Sequence, residues 1–407
     1  MNTISNVEPD LSDVALVATV GSVLATPRAA PADSFVLHSA LELNARSALL
    51  PFVRPHRRLE ARRRLVELAA QYEAFDVPVA APRPREFDSV AVGATWLAEA
   101  IAAGDLDETD AAARWLGRTA SPTELRRVLA DTVLTSLAAA AHAPIFLYLL
   151  PRVAPRGEIS GELLRGLARE LARRPEWRLR WVDECSPRSQ VSGDEMFEAL
   201  AATPLLGEAE SSFIYPLMSR IDRNGLAASL LGRVTGGSDV AERGRSVLRA
   251  AAWSMLDEPG RHAPYGWSHC LTMPQAVLGI ADACADPGRA LAVASTFVAG
   301  FRASLATHEL TTTFEHDRPA LPFDEALRAA PSVAAAAVWH APDEQLGDIV
   351  TDVATAAAVH PDAHLVKYTL ACLDAAAADP PERRLYIAAA ASLVAWWAVA
   401  GDVALPT

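Results

Sequence analysis

Lys367 is the only lysine in 407 residues; the other 36 of the 37 basic side chains are arginines. Where only positive charge is needed, Arg serves as well as Lys. A lone Lys therefore points to chemistry that needs an amine, which can lose its proton when buried while a guanidinium stays charged. His364 lies three residues earlier, on the same face if the segment is helical. Ten histidines supply the other candidates, and four sit in apolar, helix-like surroundings. His38 lies in Phe35-Val-Leu-His-Ser-Ala-Leu-Glu-Leu, and His142 follows an Ala-rich run and precedes Ile145-Phe-Leu-Tyr. His269 opens an apolar stretch and His364 sits in Ala363-His-Leu-Val. One such residue reads as a core histidine. Four, together with the odd lysine, favour a metal site, and imidazoles suit Fe, Zn, Cu or Ni. His56, His316 and His340 fall in polar contexts and are weaker candidates. His262 and His308 stay open, and His360 beside Pro361 reads as lying on the cap side of a helix.

Several familiar sites are absent from the sequence. It has no GxGxxG, no Walker A loop, no GxSxG, no HExxH and no zinc-type cysteine spacing. A net charge of −13 argues against general nucleic-acid binding and against an anionic membrane surface. No apolar run reaches the length of a membrane span. Cys185, Cys270, Cys284 and Cys372 are widely spaced, which suits a reducing compartment. The apolar stretch Val14 to Ala25 is flanked by Glu8, Asp10 and Asp13 rather than by a basic segment, so it reads poorly as a signal peptide. A cytoplasmic protein is expected.

The elements that must position these side chains read as helices throughout. Sustained strand alternation is missing, and an all-α fold follows: one large multi-helix domain over 34–407 after a variable lead-in over 1–33. Within the lead-in, the run from Val14 is too short to separate strand from helix. Helices are expected over about 34–50, 55–74, 89–103, 107–118 and 122–140, with Pro144 restarting a helix just after His142. Further helices follow over about 160–173, 194–202, 206–222, 224–235 and 240–256. A turn-rich loop spans 259–267, and Gly236-Gly237-Ser238 reads as a flexible break. Beyond it come helices over about 269–284, 287–305, 324–330, 332–338, 342–359, 361–378 and 381–399, the penultimate with Pro361 at its first position. The arginine run from Arg57 to Arg64 reads as a solvated helix face rather than a basic patch. Tyr148 and Trp267, near His142 and His269 in sequence, are the leading aromatic candidates for a substrate pocket. Tyr265, Trp339, Trp396, Trp397 and Phe146 rank behind them. Glu42, Asp343 and Asp374 are acids that would orient ligands from behind, although a surface position suits each of them better.

The stretch His364-Leu-Val-Lys-Tyr-Thr resembles the signature of the questin oxidase-like family. His142-Ala-Pro-Ile-Phe-Leu-Tyr is similar to that family's His-Ala-x-Ile helix, His269-Cys-Leu-Thr to its His-x-x-Thr segment, and His38 to its N-terminal histidine. Order and spacing agree over about residues 35–378. The resemblance implies a helical oxygenase that opens anthraquinone-type rings by Baeyer–Villiger-like oxidation in polyketide metabolism. It implies a central buried site with one Fe(II) held by His38, His142, His269, His364 and a carboxylated Lys367. His269 is preferred to His262 on the His-x-x-Thr match. O2 would be the co-substrate, an aromatic polyketide ketone the small-molecule partner, and NADPH or a hydroquinone substrate the electron source, although no nicotinamide motif is present. His364 and Lys367 would carry the chemistry. Two other readings compete: a metal-dependent hydrolase or lyase with a bound hydroxide, and a non-catalytic helical scaffold.

Overall fold

The computed structural model describes residues 11–153, 161–184, 191–207, 213–232 and 239–400. Cys185, the expected break at Gly236-Gly237-Ser238 and parts of the helices expected near 160, 206–212 and 233–235 lie outside them. The described residues contain twenty α-helices and no strand, only two isolated bridges, Arg28–Pro78 and Ser136–Arg178. The all-α expectation is met. No helix among them is long and apolar enough to cross a membrane.

Four helices form a closed ring around the chemistry-bearing residues. They are Ser34–Leu49, Ala143–Val153, Ser268–Gly279 and Ala363–Ala378. Each packs against two of the others, in the order first to second to third to fourth and back to the first. Their sequences explain why. Leu41, Leu43, Phe146, Leu147, Leu271, Val277, Val366 and Leu370 are all buried, so these helices are apolar around most of their circumference and suit the middle of a bundle. The ends are set locally. Asp33 caps the first helix through the Val36 amide (2.8 Å). Asp362 caps the fourth, accepting from His364 (2.7 Å) and Leu365 (3.3 Å) amides. This corrects the expected start: Pro361 lies before the cap, and the helix begins at Ala363.

The lead-in contributes a helix too. Asp13–Leu24 buries Leu16, Val17, Val20 and Leu24 against the Arg58–Ala74 and Ser34–Leu49 helices. The arginine run is a paired helix face. Arg58 and Arg62 bind the Asp13 carboxylate, and Arg64 donates to the Val359 carbonyl (2.7 Å).

The helix expected over 122–140 ends at Leu134. Leu137 donates to Trp177 (2.7 Å) and Leu179 to Thr135 (2.9 Å), which pulls the chain into an extended crossing. Ala139, Ala140 and Ala141 then form a left-handed turn, with φ of 50°, 50° and 55°. Each alanine in that region costs about 1 kcal/mol. The methyl of the half-buried Ala140 is the easiest to give up. Ala140→Gly is expected to stabilise the protein by about 1 kcal/mol in chemical denaturation. A loss of stability would refute the left-handed turn.

Candidate metal centre

The five residues singled out in the sequence come together at one point inside the ring. The His38 ring centroid lies 4.6 Å from that of His142, 6.1 Å from His269 and 4.3 Å from His364. His269 lies 5.3 Å from His142 and 4.9 Å from His364. One ligand atom each from His38, His269 and His364 lies within 4.8 Å of the others. Lys367 Nζ is 3.3 Å from His142 Nε2. All five are buried, none more than 7% exposed. Each comes from the N-terminal end of its ring helix, His142 from the residue just before one.

The outward nitrogens fix the inward ones. His38 Nδ1 meets the Ser34 carbonyl, His269 Nδ1 the Tyr265 carbonyl and His142 Nδ1 the Ala139 carbonyl (3.1 Å). His364 Nδ1 meets the Asp362 carboxylate at 3.2 Å. A carbonyl only accepts, so Nδ1 of the first three carries the proton and Nε2 carries the lone pair. The buried Nε2 atoms of His38 and His269 have no partner. A metal-ligating histidine characteristically shows this pattern: one ring nitrogen tied to carbonyl or carboxylate, the other free.

Two backbone irregularities build these anchors. The left-handed alanine turn presents the Ala139 carbonyl to His142. A π turn over Ala263–Trp267 precedes His269 and places the Tyr265 carbonyl against its Nδ1; such turns recur at functional sites. The sequence suggested a plain loop there, because Pro264 and Gly266 read as turn formers.

The electrostatics favour the neutral form of the four histidines. Burial, then the charges of Lys367 and the neighbouring rings, push His38 and His142 well below the usual histidine value. His269 is pushed the same way by burial, His364 and Lys367, and His364 is lowered by burial and Lys367. Burial also lowers the Lys367 amine to about 7, against an opposing pull from Asp362 and Glu42. Near neutral pH a large share of it is a free amine. For Asp362, burial works upward, but the hydrogen bonds from His364 and the Leu365 amide win and hold it ionised.

Behind the ring, Glu42 and Arg46 form a buried ion pair (2.6 Å). Arg46 also donates to the carbonyls of Ala358 (2.7 Å), His360 (2.7 Å) and Pro361 (3.3 Å). It thereby ties the His38 helix to the chain that leads into His364.

Glu42 is therefore buried rather than at the surface, and Asp343 is the exposed one, paired with Arg383 and Arg384. Asp374 and Tyr148 form a separate polar cluster. Tyr148 Oη donates to Asp374 (3.0 Å) and accepts from Arg152 (3.0 Å), while Arg152 pairs with Asp374 (2.7 Å). Trp267 is fully buried with its indole nitrogen unpartnered. Neither Tyr148 nor Trp267 has a ring contact with the four histidines among the described residues. Tyr265 does: its half-exposed ring stands 4.6 Å from His364, edge to face, and 6.4 Å from Trp397. Asp362, Arg46 and Tyr265 were the residues that sequence reasoning undervalued. Asp362, two before His364, was readable as a cap, but nothing local marked Arg46.

His262 is half-buried, with Arg261 Nε 3.3 Å from its Nε2, and the histidines whose ligand atoms cluster are His38, His269 and His364. His308 sits outside the centre with Asp257 and Glu258. Those carboxylates accept the Thr311 and Thr307 amides (3.1 and 3.0 Å) and fasten a helix end. Cys270, Cys284 and Cys372 are buried free thiols, and burial raises Cys270 to about 12, so it is inert.

Comparison with known proteins gives no match: no family model, no curated protein and no solved structure matches this chain.

Proposed function

We propose that this chain is a non-haem iron oxygenase that carries out a Baeyer–Villiger-type oxidation and ring opening of an anthraquinone-like ketone. The observation that carries the reading is the convergence of four imidazoles, tied back through Nδ1, with the buried amine of Lys367. The resemblance of residues 364–369 to the questin oxidase-like signature supplies the reaction class. The donor set fits a first-row metal: four imidazoles, with the Nε2 atoms of His38 and His269 left without protein partners. A bound ferrous ion would supply the one-electron chemistry that dioxygen needs.

The side chains do the rest. The free amine of Lys367 can attack carbon dioxide: an N–C bond forms as one C=O π bond breaks, the nitrogen releases one proton to solvent, and a neutral amine becomes an anionic carbamate whose oxygens can donate. His38, His142, His269, His364 and that carbamate would be the groups that hold the ion. Asp362 holds the His364 ring in orientation. The apolar ring of helices excludes water, which protects reactive species from side reactions.

The test is metal analysis of the purified chain combined with oxygen uptake on an anthraquinone. About one iron per chain, with oxygen consumed, is the expected result. Because four imidazoles also suit zinc, zinc without oxygen uptake would replace this reading with a hydrolase or lyase that uses a bound hydroxide. A metal-free chain indifferent to Lys367→Arg would leave a helical scaffold.

A further inference from the structure

A cleft open to solvent is lined by residues of the His38 helix and by His142. Its volume, counted at the centres of water-sized groups, is about 50 Å³, and it opens to solvent at its mouth. Leu37, Leu41, Phe146 and Leu167 make it apolar, yet Arg28 and Arg169 also line it. The Nε atoms of both arginines are buried and have no partner.

The charges around the cleft do not cancel. Arg28 has no ion pair among the described residues; it donates to the Asp76 carbonyl (3.1 Å) and lies 4.9 Å from the Tyr72 ring centroid. Arg169 is 3.3 Å from Asp110, but that carboxylate already binds Arg165 at 2.6 Å. Glu170 pairs with Arg173 (3.0 Å), and the Asp76 carboxylate accepts the Ala30 amide (2.6 Å). Of the charged side chains that line the cleft, Arg28 and Arg169 are positive and Glu170 is negative, a surplus of one positive charge.

Gly166 provides a third, independent observation. It lies within the Leu164–Arg173 helix and lines the cleft, and a Cβ placed on it would meet nothing within 4 Å. Glycine weakens a helix interior, and no packing neighbour here requires it. Its effect is to keep the cleft open.

We propose that the cleft binds a small aromatic molecule bearing one acidic group, a carboxylate or an ionised phenol. The anion lies between Arg28 and Arg169, and the apolar body extends toward His142. As a statement about substrate this rests on the oxygenase reading; as a binding site it does not. Benzoate and its neutral analogue benzamide, titrated calorimetrically into the metal-free full chain, test it. Benzoate is expected to bind with one site per chain, and benzamide at least about tenfold more weakly. Arg28→Met lowers benzoate affinity by about tenfold or more. Gly166→Leu fills the cleft and abolishes binding while the melting temperature holds or rises, so lost binding there cannot be blamed on misfolding. Absent benzoate binding, equal binding of benzamide, or benzoate binding untouched by Gly166→Leu overturns the proposal. Benzoate binding without oxygen uptake would sink the oxygenase reading alone. Oxygen uptake without benzoate binding would sink the cleft alone.

Discussion

Lys367→Met is expected to leave the apo fold more stable than the natural chain at pH 7, by about 2 kcal/mol, and to weaken metal binding by about 100-fold or more. Methionine has a similar length and no charge, so it fills the same space among the four imidazoles. What it removes is an amine that the fold must keep dry. In the folded chain burial brings the amine down to about 7, below the ordinary lysine value of 10.5. The folded state therefore binds fewer protons than the unfolded chain between those values, and the natural protein gains stability as pH rises through that window. The advantage of methionine shrinks accordingly toward pH 10. Denaturant titrations of both proteins at pH 7 and 9.5 check the sign. A Met variant less stable at both values would mean that the amine is held by interactions that outweigh its burial. Metal binding runs parallel: as pH falls below about 7 the amine gains a proton, becomes a cation and repels a second one. Lys367→Arg behaves differently again. Its guanidinium cannot neutralise, form a carbamate or find a carboxylate inside the histidine cluster, so it loses the metal and destabilises the fold by about 3 kcal/mol or more.

The site was legible because its signals are chemical. A solitary Lys in an arginine-rich chain and histidines on apolar faces both break the pattern that burial imposes, and the five residues do meet. The aromatic neighbours were not legible. Tyr148 and Trp267 were favoured for nearness in sequence. Tyr148 lies six residues beyond His142, along the same helix, and its hydroxyl is taken by Asp374 and Arg152. Tyr265, four residues before His269, comes into contact because the π turn aims its ring at His364. The long helices were readable from caps and periodicity. The early end at Leu134 was not, since pairing with Trp177 and Leu179 is a tertiary event that no local pattern announces.

The deepest dependence of the centre lies at Arg46, which touches none of the five residues by a hydrogen bond yet fixes where two of them begin. Its side chain is 1% exposed and its Glu42 partner 7%. Burial raises the Glu42 carboxyl, and Arg46 opposes that shift by charge and hydrogen bond. Arg46→Met removes the guanidinium from both tasks at once. Glu42 is left buried without its cation, and the carbonyls of Ala358, His360 and Pro361 lose their donor. Breaking one side of a buried pair costs about 3–5 kcal/mol, and the orphaned carbonyls push the loss to the upper end. Glu42→Gln/Arg46→Met is expected to recover part of it, because the amide carries no charge to strand. The comparison isolates what the carbonyl clamp is worth. With the clamp gone, the chain over 358–362 loosens, and Asp362 no longer holds the His364 ring as firmly. Metal affinity of the double variant is therefore expected to stay about tenfold below that of the natural protein even where denaturant titration shows recovered stability. Equal affinity in the double variant and the natural chain would show that the helix cap at Asp362 positions His364 without help from Arg46.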